Sequence, residues 1–525
     1  MNHMISDLWL VLQMSNLIAT PRTSISMTFF SNLPNEIIAE IFRHCLPNEK
    51  YGSLHPRHAP LLLTHVCSSW RRFATHTPPL WQNMKTVCPK STSLDAATLV
   101  GQILEQQCRL WWNNSQTLPV NLMIDISAAN VADRGVQLGI LRQVEFYWIH
   151  FAVSCFLAGA SRVRKFYWSG WNLDARSLFC DLPSTTISQL QDLHFKSQFV
   201  DSDIFDVTGV FFQAPALRRV ILDFGHGRGL LQLPWRQLTH LIVLHGISSI
   251  HFYDLAEVCR VLEVLEVSIK SDDDDSPSIL STRPISSTLS HLQSLKITIC
   301  DATNPSFFKP LNFPFLREFG LYSHIYTSPQ VFTWNPIAPE HDHLYNQLCN
   351  LRALKLGYQI IPSEMMLEML HRMPFVEELA LDVQVGSYAD LIKGLTHDPK
   401  SLEVLILPRL KVFHLYVEIQ GLVRTPGSMV PFSNDEFISF ALSRSKPQAN
   451  SSNGHPGNLQ IPSRLRNVFL CVENVVYPAL PLDLDVNTLT SQIAEYPELE
   501  DLLFSVRVDF SWDKQNWLLE EVETW

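Results

Sequence analysis

The sequence predicts a chain of the α + α/β class: a small helical module near the N-terminus, then a solenoid of alternating strands and helices. The solenoid strands are expected to stack into a curved parallel sheet. Three observations predict it. Two short stretches of residues 28–84 carry apolar stripes at helical spacing. From residue 161 onward, an apolar-x-x-apolar-x-apolar unit recurs, mostly at intervals of 21 to 30 residues. Helical periodicity separates several of these units.

The composition sets the outer limits. The chain has 525 residues, 46% of them apolar and only 17% charged, enough to bury a large core and to exclude wholesale disorder. Its 40 basic and 51 acidic residues give 40 − 51 = −11, which argues against a duplex nucleic-acid binder. No CxxC pair occurs among the ten cysteines, so no zinc ribbon or thioredoxin-like site is written here, and the thiols read as buried in a reducing compartment. The apolar run Leu8 to Leu12 has no Lys or Arg before it, the first being Arg22, and so lacks the form of a secretory signal. Phe146 to Ala160 is fifteen residues, short of the roughly twenty needed to span a bilayer. The expectation is therefore a soluble intracellular protein, cytoplasmic or nuclear, with no membrane partner and with unglycosylated sequons at Asn113 and Asn450.

The first helix is expected just after Pro34, which suits the first helical position, with Glu36 reaching back to the Leu33 amide as half of a capping box. Ile37, Ile38, Ile41, Phe42 and Cys45 form its apolar stripe, and Pro47 ends it. Turn chemistry fills Pro47 to Ala59. A second helical stretch runs from Leu61 to Ala74, with Leu63, Val66, Trp70 and Phe73 on one face. Thr77-Pro78-Pro79-Leu80-Trp81 then turns the chain. A module of about 50 residues is marginal alone, so it should lean on a partner or on the rest of the chain.

Leu33-Pro34-x-Glu36-Ile37-Ile38, Ile41-Phe42, Val66-Cys67-x-x-Trp70-Arg71, Ala74 and Pro79-Leu80-Trp81 occur in that order. Together they resemble an F-box, and are most similar to the F-box-like domains of filamentous and mushroom-forming fungi. The resemblance implies docking to a Skp-family adaptor and, through it, to a cullin-based ubiquitin ligase. The positions it implies at that interface are Leu33, Pro34, Ile37, Ile38, Val66 and Cys67, with Trp70 mainly core. The Pro47–Ala59 segment is longer than a minimal F-box connection; it either loops out or weakens docking.

The repeated unit opens at Val163, Leu190, Leu217, Leu238, Leu262, Leu292, Leu316, Leu351, Val376, Leu402, Leu465 and Leu499. Proline stands two residues before the start in four units, at Pro215, Pro314, Pro374 and Pro497. The unit is that of a short strand after a turn, its fourth and sixth positions pointing into a core and its third and fifth to the opposite face. Glu364 to Met373 reads as an intervening helix, with Met365, Met366, Met369, Leu370 and Met373 on one side. This alternation resembles an irregular leucine-rich repeat. The turn residue that regular repeats place three positions after the last apolar one is matched only by Cys300. The 63-residue interval from Leu402 to Leu465 is a lost repeat or an insertion, and Lys446 to Pro462 reads as a disordered loop within it.

These readings divide the chain into an N-terminal extension (1–27), unstructured or upstream of a true start at Met27, and the F-box-like module (28–84). A linker with helical segments (85–160) and the solenoid (161–525) follow. The outward positions mix charge with large apolar groups, which suits a protein target better than a polyanion. Lys165, Tyr167, Arg219, His240, Glu266, Lys296 and Lys355 are the candidate target contacts.

Other motifs are weaker. Gly225 to Gly229 lacks the third glycine of a phosphate loop and reads as a turn. Asp272 to Asp275 reads as a solvated loop tip, and His341-Asp342-His343 as an exposed loop short of a third metal ligand. GxSxG, GxxxxGK[ST] and HExxH do not occur. No catalytic residue, metal or cofactor is therefore expected. The function read from the sequence is that of a substrate-receptor subunit of a Skp–cullin–F-box ligase, whose repeats hold a protein target. The alternative is a repeat scaffold with a vestigial F-box and no ligase role.

Overall fold

The computed structural model describes residues 33–47, 52–89, 93–126, 138–170, 184–197, 211–224, 233–270, 287–300, 308, 311–323, 342–385, 388–397, 405–419, 433–445, 463–474 and 486–509. The 1–27 extension, Gly225–Gly229, Asp272–Asp275, His341, Asn450 and the 446–462 stretch lie outside the described residues. The chain divides into two compact units, 1–245 and 246–525, each treated by itself below.

The first unit runs α1 (Asn35–His44), β1 (Gly52–Ser53), α2 (Leu61–Val66), α3 (Ser68–Thr75), a 3-10 turn (Pro78–Trp81), β2 (Asn83–Val87), α4 (Leu94–Asn114) and β3 (Val120–Asp125). It continues with α5 (Leu138–Leu157), β4 (Val163–Gly170), β5 (Asp192–Ser197), β6 (Arg219–Phe224) and β7 (His240–Ser248), the last crossing the boundary. The second unit holds α6 (Ser249–Val258), β8 (Val264–Lys270), β9 (Ser287–Thr288), β10 (Ser294–Ile299), β11 (Leu311–Asn312), β12 (Glu318–Ser323), α7 (Asp342–Leu348) and β13 (Ala353–Ile361). Then come α8 (Ser363–His371), β14 (Glu378–Val385), α9 (Tyr388–Leu395), β15 (Val412–Ile419), α10 (Asn434–Ser445), β16 (Asn467–Asn474), α11 (Val486–Ala494) and β17 (Leu503–Asp509).

Fifteen of these strands form an open parallel ladder in strict chain order; β9 and β11 pair only with each other. Parallel neighbours joined in sequence order, with a helix or turn in each crossover, are a solenoid. The fold is thus a helical N-terminal region followed by a solenoid of parallel strands in chain order.

The register explains why the repeated unit works. In the first unit Phe166, Leu193, Val220 and Leu241 stand opposite one another, all buried. In the second, Leu265, Leu295, Phe319, Leu354, Leu379, Phe413 and Val468 make an unbroken buried row. Each side chain buried this way contributes roughly 1.5–3 kcal/mol, but only while its neighbours cover it.

Proline before the unit also has a reason. The amide of Leu316 donates to the Phe313 carbonyl across Pro314, and that of Val376 to Met373 across Pro374. Leu217 and Ala214 span Pro215 in the same way, as do Leu499 and Tyr496 around Pro497. Each proline therefore sits second in a four-residue turn, where its fixed φ is favourable and no amide is needed.

Two units fall elsewhere than the sequence reading put them. The strand expected at Leu402/Leu405/Leu407 is β15, with Phe413 and Leu415 buried. Leu410 opens that unit, and Pro408 stands before it within the same turn, Leu410 N–H to Leu407 O. The last unit is offset by two residues, because Phe504 rather than Leu502 pairs with Val468. Residues 85–160, read as a linker, hold α4, β3 and α5, with β3 pairing to β2 and β4. Its strand was hidden because position one is Pro119 rather than Leu.

Buried Arg444 of α10 pins the turn before β15. Its guanidinium donates to the carbonyls of Leu395, Ile406 and Leu407, and burial pushes its pKa down to about 10. Leu407 itself has φ of 51°, a strained value that these bonds help to hold.

Candidate functional site: an adaptor face and an outward sheet face

The helical module is built around Phe42, the one fully buried side chain of α1. Its ring lies 4.9 Å from that of Trp70 and 5.4 Å from that of Phe73, both on α3. The single helix expected from Leu61 to Ala74 is broken at Cys67, which is extended (φ −159°, ψ 171°). The Cys67 Sγ accepts from the Trp70 amide at 3.4 Å, so the cysteine caps α3. Arg71 Nε donates to the Thr64 carbonyl at 2.7 Å, tying the two halves together. The capping box expected at Glu36 does not form: Pro34 is itself the N-cap, its carbonyl accepting from Ile37 and Ile38.

Trp81 joins this module to the repeats. It is fully buried, donates from Nε1 to the Ala74 carbonyl at 2.8 Å, and meets Trp111 of α4 edge-on at 5.1 Å. The Pro47–Ala59 segment is also tied in. Its Gly52 and Ser53 form β1, paired with Met84 and Lys85, and Leu54 and Ala59 are buried.

The apolar residues left over are the informative ones. Ile37 is 48% exposed, Leu62 44% and Val66 49%. Leu62 and Val66 are one helical turn apart and share a face. Of the six residues implied at the adaptor interface, Pro34, Ile37 and Val66 are exposed, whereas Leu33, Ile38 and Cys67 are half-buried. A single helix over 61–74 would put Leu63, Val66, Trp70 and Phe73 on one face, which hides Leu62; the break at Cys67 parts Val66 from Trp70 and Phe73, and Val66 is left exposed beside Leu62.

On the sheet, the seven candidate target contacts all point outward, alternating with buried neighbours, and all are half-buried. None is a free charge. Asp192 holds Lys165 at 2.9 Å and Arg219 through two bonds of 2.5 and 3.1 Å. Tyr167 meets His194 edge-on at 4.3 Å, and His240 stands opposite Arg219. In the second unit Glu266 faces Lys296, and Lys355 lies 3.1 Å from Glu318 and 3.6 Å from Glu378.

Around Lys355 the face is shaped as well as charged. Tyr322, Ala380, His414, Tyr416 and Phe469 line a shallow, largely apolar hollow beside it. Gly357 makes room there, since a Cβ on it would stand 2.3 Å from the Tyr322 ring. Phe469 is the outward fifth position of the unit that opens at Leu465, as the sequence predicts, whereas His414 escapes the pattern because the preceding unit reads as opening at Leu402. Of the candidate metal motif, Asp342 pairs with Arg372 at 3.0 Å and His343 contacts the Leu311 carbonyl at 3.0 Å. Among the described residues no helix is long and apolar enough to cross a membrane.

Comparison with known proteins agrees with the N-terminal geometry. The F-box-like family profile matches residues 30–86. A search of curated proteins returns no match. Among solved structures the chain is similar to an internalin (inlF) from Listeria monocytogenes, at 13% identity and a TM-score of 0.28, over 62% of this chain and 82% of that one. Residues 30–86 are an F-box-like domain, set at the head of a leucine-rich-repeat-like array.

Proposed function

We propose that the protein is a substrate-receptor subunit of a Skp–cullin–F-box ubiquitin ligase. One observation carries the reading: an F-box-like domain leaves Ile37, Leu62 and Val66 exposed on two short helices whose cores are formed by Phe42 and by Leu61 and Leu63. Exposed aliphatic anchors on a module this small favour a docked partner, and a Skp-family adaptor is the partner such domains generally take. The repeats would hold a protein target, so that catalysis is proximity supplied to another subunit's cysteine. On this reading the chain has no active site of its own and works in the cytoplasm, the nucleus or both. The spelling Leu33-Pro34-x-Glu36-Ile37-Ile38 with Val66-Cys67-x-x-Trp70 supports a fungal source.

Co-expression of the full chain with a Skp-family adaptor and its cullin tests the assembly. The expected result is a stoichiometric three-protein complex that survives gel filtration. Recovery of the chain without adaptor or cullin, under conditions where a known F-box protein retains both, would leave only an interaction scaffold.

A further inference from the structure

The second position of the repeated unit lies just before each strand. In the second unit it forms a continuous row. The amide of Arg317 donates to the carbonyl of Gln293, Arg352 to Arg317, Glu377 to Arg352, Lys411 to Glu377, and Arg466 to Lys411, all at 2.7–2.8 Å. Five neighbouring strands thus carry Arg, Arg, Glu, Lys and Arg along one rim. Arg317, Arg352 and Arg466 are exposed and Lys411 is half-exposed.

Glu377 is shared by Arg352 at 2.9 Å and Lys411 at 2.5 Å, and these contacts hold its carboxyl below the usual range. Arg317 and Arg466, at the two ends, make no ion pair among the described residues. Glu318 and Glu378, one residue further along their strands, bond Lys355 instead. Four cations against one carboxylate leave these five positions at +3, and the row continues beyond Arg317 through Gln293 to the exposed Glu263; the chain's net charge is −11. General attraction to the molecule would work against an acidic ligand, so any affinity must come from the row.

Strands lie about 4.8 Å apart, so the row spans roughly 19 Å from Arg317 to Arg466. An extended peptide rises about 3.3 Å per residue, and about six residues cover that length. We propose that this rim docks an extended segment rich in Asp and Glu, carried by a protein partner. The proposal rests on reading the repeats as protein-binding, and it names the chemistry of what they bind.

The test is fluorescence anisotropy of the full chain with a labelled octaglutamate peptide. Wild type should bind it, more weakly as salt shortens the screening length, and should not bind octaglutamine. Arg317→Glu/Arg466→Glu should weaken binding at least tenfold. Arg236→Glu/Arg260→Glu, which makes the same change in net charge at exposed residues off the rim, should stay within twofold. Thermal melts check that both variants fold. Equal losses in the two variants, equal binding of octaglutamine, no binding at low salt, or tighter binding of an eight-nucleotide single strand would each overturn the proposal. Adaptor binding by the same variants should be unchanged, which separates failure of the rim from failure of the ligase reading.

Discussion

At the scale of single residues, the chain sorts its cysteines by depth. Cys88, Cys108, Cys155, Cys259 and Cys471 are buried, whereas Cys45 is exposed. Burial pushes the thiol of Cys88 well up and that of Cys259 up to about 12; the Cys108 sulfur 3.2 Å away, with burial, raises that of Cys155. Since the thiolate is the nucleophile, native protein at pH 8 should label at Cys45 within minutes and leave those five untouched for hours. Peptide mapping after iodoacetamide treatment checks this; modification of Cys108 or Cys155 without denaturant would show that α4 and α5 do not pack as described. The sequence could supply only the absence of a CxxC pair. Which thiols meet depends on α4 lying beside α5, where Trp112 Nε1 donates to the Cys155 carbonyl at 3.1 Å across 43 residues of chain.

At the scale of elements, Trp81 is a main side-chain link between the helical module and the array, beside the β1–β2 pairing. Trp81→Ala removes a fully buried indole, its bond to Ala74 and its contact with Trp111, and should destabilise the first unit by about 3–5 kcal/mol. Ile37→Ala, at a position 48% exposed, should change stability by less than about 1 kcal/mol. Chemical denaturation of both variants measures the contrast, and comparable losses would mean that α1 is packed against more of the chain than its exposure indicates. Element existence was largely legible, because the buried rows need an apolar residue at every fourth and sixth position. Placement failed where that pattern competed with itself. Leu402, Leu405 and Leu407 satisfy the pattern, yet Pro408 and the Arg444 clamp make Leu407 a turn residue and hand the strand to Phe413 and Leu415. The break at Cys67 was illegible for another reason: a side-chain cap by sulfur leaves no mark on helical periodicity.

At the scale of the whole molecule, the chain carries an F-box-like domain at residues 30–86 and a long ladder of parallel strands with outward side chains. The ladder's charges were legible as residue types but not as partners. Lys165, Arg219 and Lys355 looked like free contacts until the register set them beside Asp192, Glu318 and Glu378. The face therefore offers shape near Tyr322 and Phe469, and the rim of Arg317 and Arg466 offers net charge. Neither could be found without knowing which strands are neighbours.

The central claim is that the uncovered helices of residues 30–86 dock an adaptor. It is tested most directly by calorimetric titration of a Skp-family adaptor into the wild-type chain and into Ile37→Ala/Val66→Ala. Both residues are about half exposed, so the variant should fold normally. Losing two aliphatic anchors buried on binding should cost roughly 2–4 kcal/mol, a thirtyfold to thousandfold loss of affinity. Wild-type binding that the folded variant loses by that factor is the predicted result; no wild-type binding, or equal affinity in the variant, would contradict the account.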